Sequence, residues 1–381
     1  MILTNCAACA APLAHDAPRC VRCKTRYCNS TCQHDHWRRG HKQICKRIHR
    51  GGNPEEYHAD KKCKEAVAVA VEACADDTKG QTCYICTEAL HWKTKEGLVR
   101  MCACRGTAGF AHVSCLAEQA KILCAEAEEN NLDGKVKYER FKRWHECSLC
   151  EQRYHGVVAC TLGWACWKTY LGQSETDPAQ QMSMNLLGNA LFNAKHHEDA
   201  SSVREAELAT ERRNGAREYH MLAIQGNLAG SYKMVGRLED ALPMQRDVYT
   251  GRVKLNGEEH DETLREANNY TTLLIELERF EEAKSLLRKT MPVARRVLGE
   301  DDIITLIMSS VYAEACYKDT SATAGDLRET VNMLEDTERI ARRVLGGAHP
   351  TVVGIESALR DARAALGARE NAAAGERIAK K

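Results

Sequence analysis

The chain has 381 residues, 44% hydrophobic and 28% charged, with a formal net charge of +1, a balance that gives room for two or three soluble globular domains. So small a net charge argues against nucleic acid or an anionic membrane as the main partner. The longest clean apolar stretch, Ala66 to Val71, is far short of a membrane span. The first cysteine comes at position 6 with no cationic and apolar leader before it, so reduced thiols and a cytoplasmic or nuclear location are expected. Of twenty cysteines, nineteen precede Trp167 and only Cys316 comes after it. Their clustering in CxxC pairs beside histidines reads as zinc binding rather than a disulfide framework. The first half is therefore expected to be stapled by metal, and the second to hold by packing.

In chain order, the first module offers Cys6-Ala-Ala-Cys9, Cys20-Val-Arg-Cys23, Cys28, Cys32, His41 and Cys45, eight ligands for two tetrahedral sites. The run Tyr27-Cys28-Asn-Ser-Thr-Cys32-Gln33-His-Asp-His-Trp37-Arg-Arg-Gly-His41-Lys-Gln-Ile-Cys45 closely resembles the tail of a MYND zinc finger. The resemblance implies one ion on Cys6, Cys9, Cys28 and Cys32 and a second on Cys20, Cys23, His41 and Cys45, leaving His34 and His36 as surplus. It also implies that Gln33 and Trp37 form a groove for a proline-containing peptide; the plainer reading has Trp37 packing the helix that carries His41. Ten Lys or Arg face two Asp within residues 1–50. Seven thiolates and two zinc ions reduce that surplus to about +5, which suits a solvated face or an acidic partner.

Residues 51–80 read as a helical linker of Lys, Glu, Ala and Val, in which Cys63 and Cys74 are spare thiols. Residues 81–156 then supply eight more ligands in the order Cys83, Cys86, Cys102, Cys104, His112, Cys115, Cys147, Cys150. The segment Cys102-Ala-Cys104-Arg-Gly-Thr-Ala-Gly-Phe-Ala-His112-Val-Ser-Cys115-Leu resembles the RING-CH (RINGv) finger of ubiquitin ligases. A PHD finger shares the ligand order, but one residue between the third and fourth cysteines and seven before His112 favour RING-CH. The family cross-brace implies one ion on Cys83, Cys86, His112 and Cys115, and one on Cys102, Cys104, Cys147 and Cys150. It implies that Ile85 is an apolar contact for a ubiquitin-conjugating enzyme, with Leu116 and Leu149 as further contacts. Two positions depart from the family: Gln119 stands where many RING-CH fingers carry Trp, and Glu151 is acidic just after the last ligand.

Residues 157–177, with Trp164, Trp167 and the non-ligand thiols Cys160 and Cys166, read as a linker that packs the finger onto the C-terminal half of the chain. From 178 to 365 an internal repeat sets in. Gly215, Gly257 and Gly299 are 42 residues apart and Gly346 comes after 47, with an insertion expected near Lys318 to Gly325. Gly236-Arg-Leu-Glu-Asp-Ala241 returns as Glu278-Arg-Phe-Glu-Glu-Ala283. Such a period is one helix hairpin whose small residues let neighbours stack on a shared core. The units resemble the tetratricopeptide repeats of kinesin light chains, and residues 366–381 read as a charged tail. Asn227 and Asn269, at equivalent places on successive first helices, are candidates for a peptide groove, but the plainer and favoured reading has them solvated or locally bonded.

The expected fold class is mainly α, two small zinc-stapled fingers followed by an α-helical tetratricopeptide-type solenoid. Four structural zinc ions are expected, because every site has four protein ligands and no open position for water. No nucleophile with its base, P-loop or GxGxxG is present, and the absence of Asn-His-Ser-Cys argues against a SET-type methyltransferase. The resemblances imply a ubiquitin ligase whose second finger docks a conjugating enzyme while the first finger and the repeats bind a protein substrate or peptide. The alternative is a non-enzymatic scaffold that uses the same surfaces only to bind.

Overall fold

The computed structural model describes residues 6–9, 11, 13 and 16–379, with side chains of the last helix described through 372. The described residues are mainly helical, joined by turns and three isolated antiparallel bridges. They form two units that divide after Ala216.

Unit 1 is organised around a helix that the sequence assigned to a linker. Gly156–Tyr170 (here α6, after α1–α5 of the fingers and their connection) has ten of its fifteen residues buried, including Trp164, Cys166 and Trp167. A helix apolar on all sides belongs inside a core rather than on a surface. One side of it takes α3, Pro54–Ala73, which starts at a cap where the Asn53 side chain accepts from Glu56 N. Ala59, Cys63, Ala66 and Ala70 line one stripe of α3 at helical spacing and pack into the same core. The Thr161 hydroxyl reaches across to the Ala66 carbonyl at 3.0 Å. On the other side Gly163 lets α7, Pro178–Asn193, approach closely, since a Cβ there would meet the Ala190 Cβ at 3.0 Å. The expected linkers 51–80 and 157–177 are thus corrected: α3 and α6 are central packing elements, made so by small residues on α3 and three large aromatics on α6. Helix α8, His197–Asn214, returns along α7 as the first hairpin.

The fingers are carried on the same unit. The first contains α1, Ser30–His36, a wide turn over Trp37–His41, and α2, Lys42–Arg50. The second contains α4, Val113–Glu129, and α5, Gly134–Phe141. Trp144, fully buried, donates from Nε1 to the Tyr170 hydroxyl at 3.3 Å and so ties the end of the second finger to α6.

Unit 2 is a series of helix hairpins: α9 Glu218–Met234 with α10 Leu238–Asn256, α11 Asp261–Glu276 with α12 Phe280–Val297, and α13 Ile303–Lys318 with α14 Ala324–Leu345. Helix α15, Pro350–Ala379, comes next, so the stretch read as a tail from 366 continues as helix through Ala379, and Lys380 and Lys381 lie outside the described residues. Ala241 and Ala283, equivalent by the repeat, are both fully buried where paired helices meet. The tight turns within the hairpins turn on one left-handed residue each, Lys195 (φ 64°), Gly236 (φ 77°) and Glu278 (φ 59°). The fourth turn, Asp319–Thr323, is longer and has no such residue; Thr323 and Asp326 close a reciprocal capping box at the start of α14 instead.

Candidate metal centres and interaction surfaces

Four sets of side chains converge: Cys6, Cys9, Cys28, Cys32; Cys20, Cys23, His41, Cys45; Cys83, Cys86, His112, Cys115; and Cys102, Cys104, Cys147, Cys150. Within each set all ligand atoms lie within 4.8 Å of one another. A tetrahedron with Zn–S bonds near 2.3 Å has S···S edges of about 3.8 Å. The observed edges include Cys20–Cys45 at 3.8 Å, Cys104–Cys147 at 3.7 Å and Cys9–Cys28 at 3.6 Å. Such separations are far beyond a disulfide bond, and all twenty cysteines are free thiols. Sulfur-rich, closed, four-membered donor sets fit structural zinc, and the four sets would hold four ions.

Local backbone rules explain why these residues converge. At Cys83 the turn is closed by Thr87 N donating to Cys83 O (2.8 Å) and Cys83 N donating to Glu88 O (3.0 Å), with Thr87 at φ 65°. Cys147 repeats it through Glu151 N and Gln152 O, and Cys20 through Lys24 N and Thr25 O, with Glu151 at φ 57° and Lys24 at φ 64°. Each such turn aims two thiols at one point. In the first finger the kink at Gly40 (φ 133°) swings His41 inward, where its Nε2 lies 3.3 Å from Cys23 Sγ. Burial, with a smaller effect of nearby His36, pushes the His41 imidazole down to about 4, which keeps it in the neutral form that binds metal. His112 presents Nδ1 to Cys86 (3.4 Å) and Cys115 (3.6 Å), and its Nε2 donates to the Ala89 carbonyl at 3.3 Å. That bond fixes the tautomer and the ring orientation. Gly109 (φ 85°) leaves room for the fourth set, because a Cβ there would lie 2.6 Å from the Cys104 Cβ.

A fourth turn of the same shape escaped the sequence reading. His91 N donates to Glu96 O (3.0 Å), Lys95 N donates to His91 O (2.9 Å), and Lys95 has φ 58°. Where a second thiol would stand is Thr94, whose hydroxyl meets His91 Nδ1 at 2.8 Å. A hydrogen bond closes this turn in place of a metal, and the His91 ring buttresses the His112 ring at a centroid distance of 5.4 Å. The adjoining Glu96 accepts from both Ser114 N (2.6 Å) and Ser114 Oγ (3.0 Å), capping α4 from outside the helix. The only signal in the sequence was the two-residue gap between His91 and Thr94.

The candidate contact residues fare differently. Ile85 (37% exposed) and Leu149 (51%) project from the turns at Cys83 and Cys147. Those turns are tied together by the Tyr84 hydroxyl and Ser148 Oγ, 2.9 Å apart, so the two apolar tips belong to adjoining turns. Leu116 is a correction: it is 4% exposed, because its side of α4 faces the core. Trp92, 68% exposed beside His91, is an apolar surface residue that sequence reasoning missed. In the first finger Gln33 is half-buried and Trp37 is 40% exposed, one helical turn apart, with the Trp37 ring also near the His41 ring at 5.9 Å. His36 is not solvated but stacks on His41 at 4.8 Å and bonds the Tyr27 hydroxyl at 3.0 Å. Cys63 and Cys74 are buried in the core of unit 1, apart from the four sets. Asn269 bonds locally to Glu266 Oε2 at 3.2 Å.

Comparison with known proteins divides along the same lines. Residues 6–45 match the MYND finger family, and residues 220–296 match the tetratricopeptide repeat family. A 64-residue stretch is 44% identical to part of Ubiquitin carboxyl-terminal hydrolase 17 of Arabidopsis thaliana, spanning 16% of this chain and only 8% of that relative. Among solved structures, kinesin light chain nearly identical TPR-like repeats from Podosopora anserina share 18% identity over 61% of this chain and 98% of that one, with a TM-score of 0.41. BtubC (BKLC) from P. vanneervenii shares 15% identity over 69% of this chain and 92% of that one, with a TM-score of 0.39. A MYND finger and tetratricopeptide repeats in one chain suggest a protein-interaction scaffold. No helix among the described residues is long and apolar enough to cross a membrane.

Proposed function

We propose that this chain is a zinc-stapled recruiting protein whose second finger, similar to RING-CH, docks a ubiquitin-conjugating enzyme. The first finger and the helical repeats hold the protein or peptide to be modified. The observation that carries this reading is the pair of exposed tips Ile85 and Leu149 on two metal-type turns joined by the Tyr84–Ser148 hydrogen bond. Closed four-ligand sites do no covalent chemistry. The finger would act by holding a loaded enzyme and restricting the conformations of its thioester, which is catalysis by orientation. Gln33 and Trp37 serve the substrate side as a groove for a proline-containing segment.

A second reading, a scaffold that binds partners without ubiquitin transfer, is favoured by the burial of Leu116, which removes one of three expected enzyme contacts. Gln119 and Glu151 point the same way. The deciding experiment supplies the zinc-replete chain with activating enzyme, a panel of conjugating enzymes, ubiquitin and ATP. Ubiquitin chains that Ile85→Ala reduces more than tenfold at unchanged zinc content are expected, since an apolar docking contact is worth roughly 1.5–3 kcal/mol. No chains with any conjugating enzyme would establish the scaffold.

A further inference from the structure

The departure from the 42-residue period opens a cavity in unit 2. Between α12, α13 and the start of α14 lies a space of about 400 Å³, within the roughly 300–1,000 Å³ range of ligand sites. The longer turn Asp319–Thr323 supplies part of its wall through Ser321 and Ala322. The turn is pinned from two sides. Arg369 of α15 donates to the Thr320 carbonyl, and Asp319 accepts from Ser321 N (2.8 Å) and Ser321 Oγ (2.7 Å).

One substitution within the repeat belongs to the same feature. Lys284 stands where the preceding repeat has Leu242, an apolar residue packed against the core. The Lys284 ammonium is buried and paired with Asp319 of the long turn at 2.7 Å and with Glu281 at 2.5 Å. An apolar core position has thus become a cation whose partner comes from the insertion. The pair ties the long turn to α12 beside the cavity.

The lining has two characters. Tyr312, Cys316, Ala322 and Met333 give apolar and aromatic walls. Against the cations Lys284 and Arg288 stand three lining carboxylates, Glu281, Asp326 and Glu329, an excess of one negative charge, while Asp319, outside the lining, pairs with Lys284. Asp319 and Glu281 are engaged by Lys284, Asp326 by Thr323, and Arg288 is drawn to the Tyr312 hydroxyl. Glu329, exposed at the rim, has no ion pair among the described residues. Apolar walls with a surplus acid at the mouth match a long side chain that buries its methylenes and keeps a cationic head at the surface. We infer that this cavity is a binding site for a lysine or arginine side chain of a partner protein segment, with Glu329 taking its charge. The site is separate from both fingers and stands whether or not the second finger recruits a conjugating enzyme.

The test uses the full zinc-loaded chain and capped pentapeptides Ac-Ser-Ala-X-Ala-Ser-NH2, in which X is arginine, lysine, norleucine or glutamate, titrated by ligand-detected NMR. The arginine or lysine peptide should bind about tenfold more tightly than the norleucine peptide, the scale of one charge-assisted hydrogen bond. Glu329→Lys should abolish that preference, and Ala322→Phe, which fills the cavity, should abolish binding. Glu300→Lys, at an exposed carboxylate outside the cavity, should leave both unchanged. Equal or tighter binding of the norleucine or glutamate peptide, or a cationic preference that survives Glu329→Lys, overturns the proposal.

Discussion

Gly109→Ala separates a metal-bound second finger from one held by its thiols and packing alone. Position 109 has φ 85°, and an added Cβ would lie 2.6 Å from Cys104 Cβ, 2.9 Å from Cys104 Sγ and 3.3 Å from Cys102 Sγ. Carbon atoms in contact sit at about 3.5–4.0 Å, so Cys104 must retreat by roughly 1 Å. A zinc site tolerates only about 0.2 Å in its bond lengths. The ion therefore loses Cys104 or the backbone at 109 rearranges, and left-handed strain adds about 1–2 kcal/mol in either case. Loss of one ligand from a site worth on the order of 10–16 kcal/mol should weaken it by about 3 kcal/mol, a hundredfold or more. Competition with a chromogenic chelator, scored as zinc released per chain, should show one ion of four leaving early. Gly106→Ala is the control, since Gly106 (φ 60°) has nothing within 4 Å of an added Cβ. It should cost about 1–2 kcal/mol of stability with no change in zinc affinity. A Gly109→Ala chain that keeps four ions with the wild-type competition curve would refute the geometry.

Two further outcomes are expected. Burial pushes the Glu207 carboxyl of α8 up to about 7, and its Oε1 accepts from Asn185 at 3.0 Å. A raised carboxyl pKa contributes its stability below the unfolded value and loses it as pH climbs through 7, so Glu207→Gln should stabilise by up to about 3 kcal/mol at pH 8 and by nothing near pH 4. Thermal melts with the same pH slope in both proteins would contradict that. Chelation should raise hydrogen exchange throughout the two fingers while α9–α14 stay protected, because no residue of the four metal sets lies beyond Cys150; loss of protection in those helices on chelation would count against self-sufficient packing there.

Metal-type turns were legible because their determinants are local. A CxxC pair fixes where its two thiols point, and family pairing then joins distant turns, as the gathering of Cys102 and Cys104 with Cys147 and Cys150 illustrates. The hairpins were legible through the 42-residue period, and the insertion near Lys318 through its failure. What did not show was burial that depends on a third partner. Leu116 looks like a surface leucine until α4 is rotated onto the core, and Trp164 and Trp167 look like linker aromatics until α3 and α7 close around them. His91 was silent because a turn closed by a Thr94 hydroxyl carries no metal-type pair. The cavity at Lys284 needed three helices and a turn in place before one lysine among leucines acquired meaning.

The central claim is four closed structural zinc sites, and zinc stoichiometry combined with X-ray absorption tests it most directly. The four sets contain fourteen sulfur and two nitrogen donors, an average of 3.5 sulfur atoms and half a nitrogen per ion with no oxygen. Four zinc ions per chain with that sulfur-rich first shell is the expected result. Two or fewer ions, or a first shell containing a water oxygen, would contradict the account.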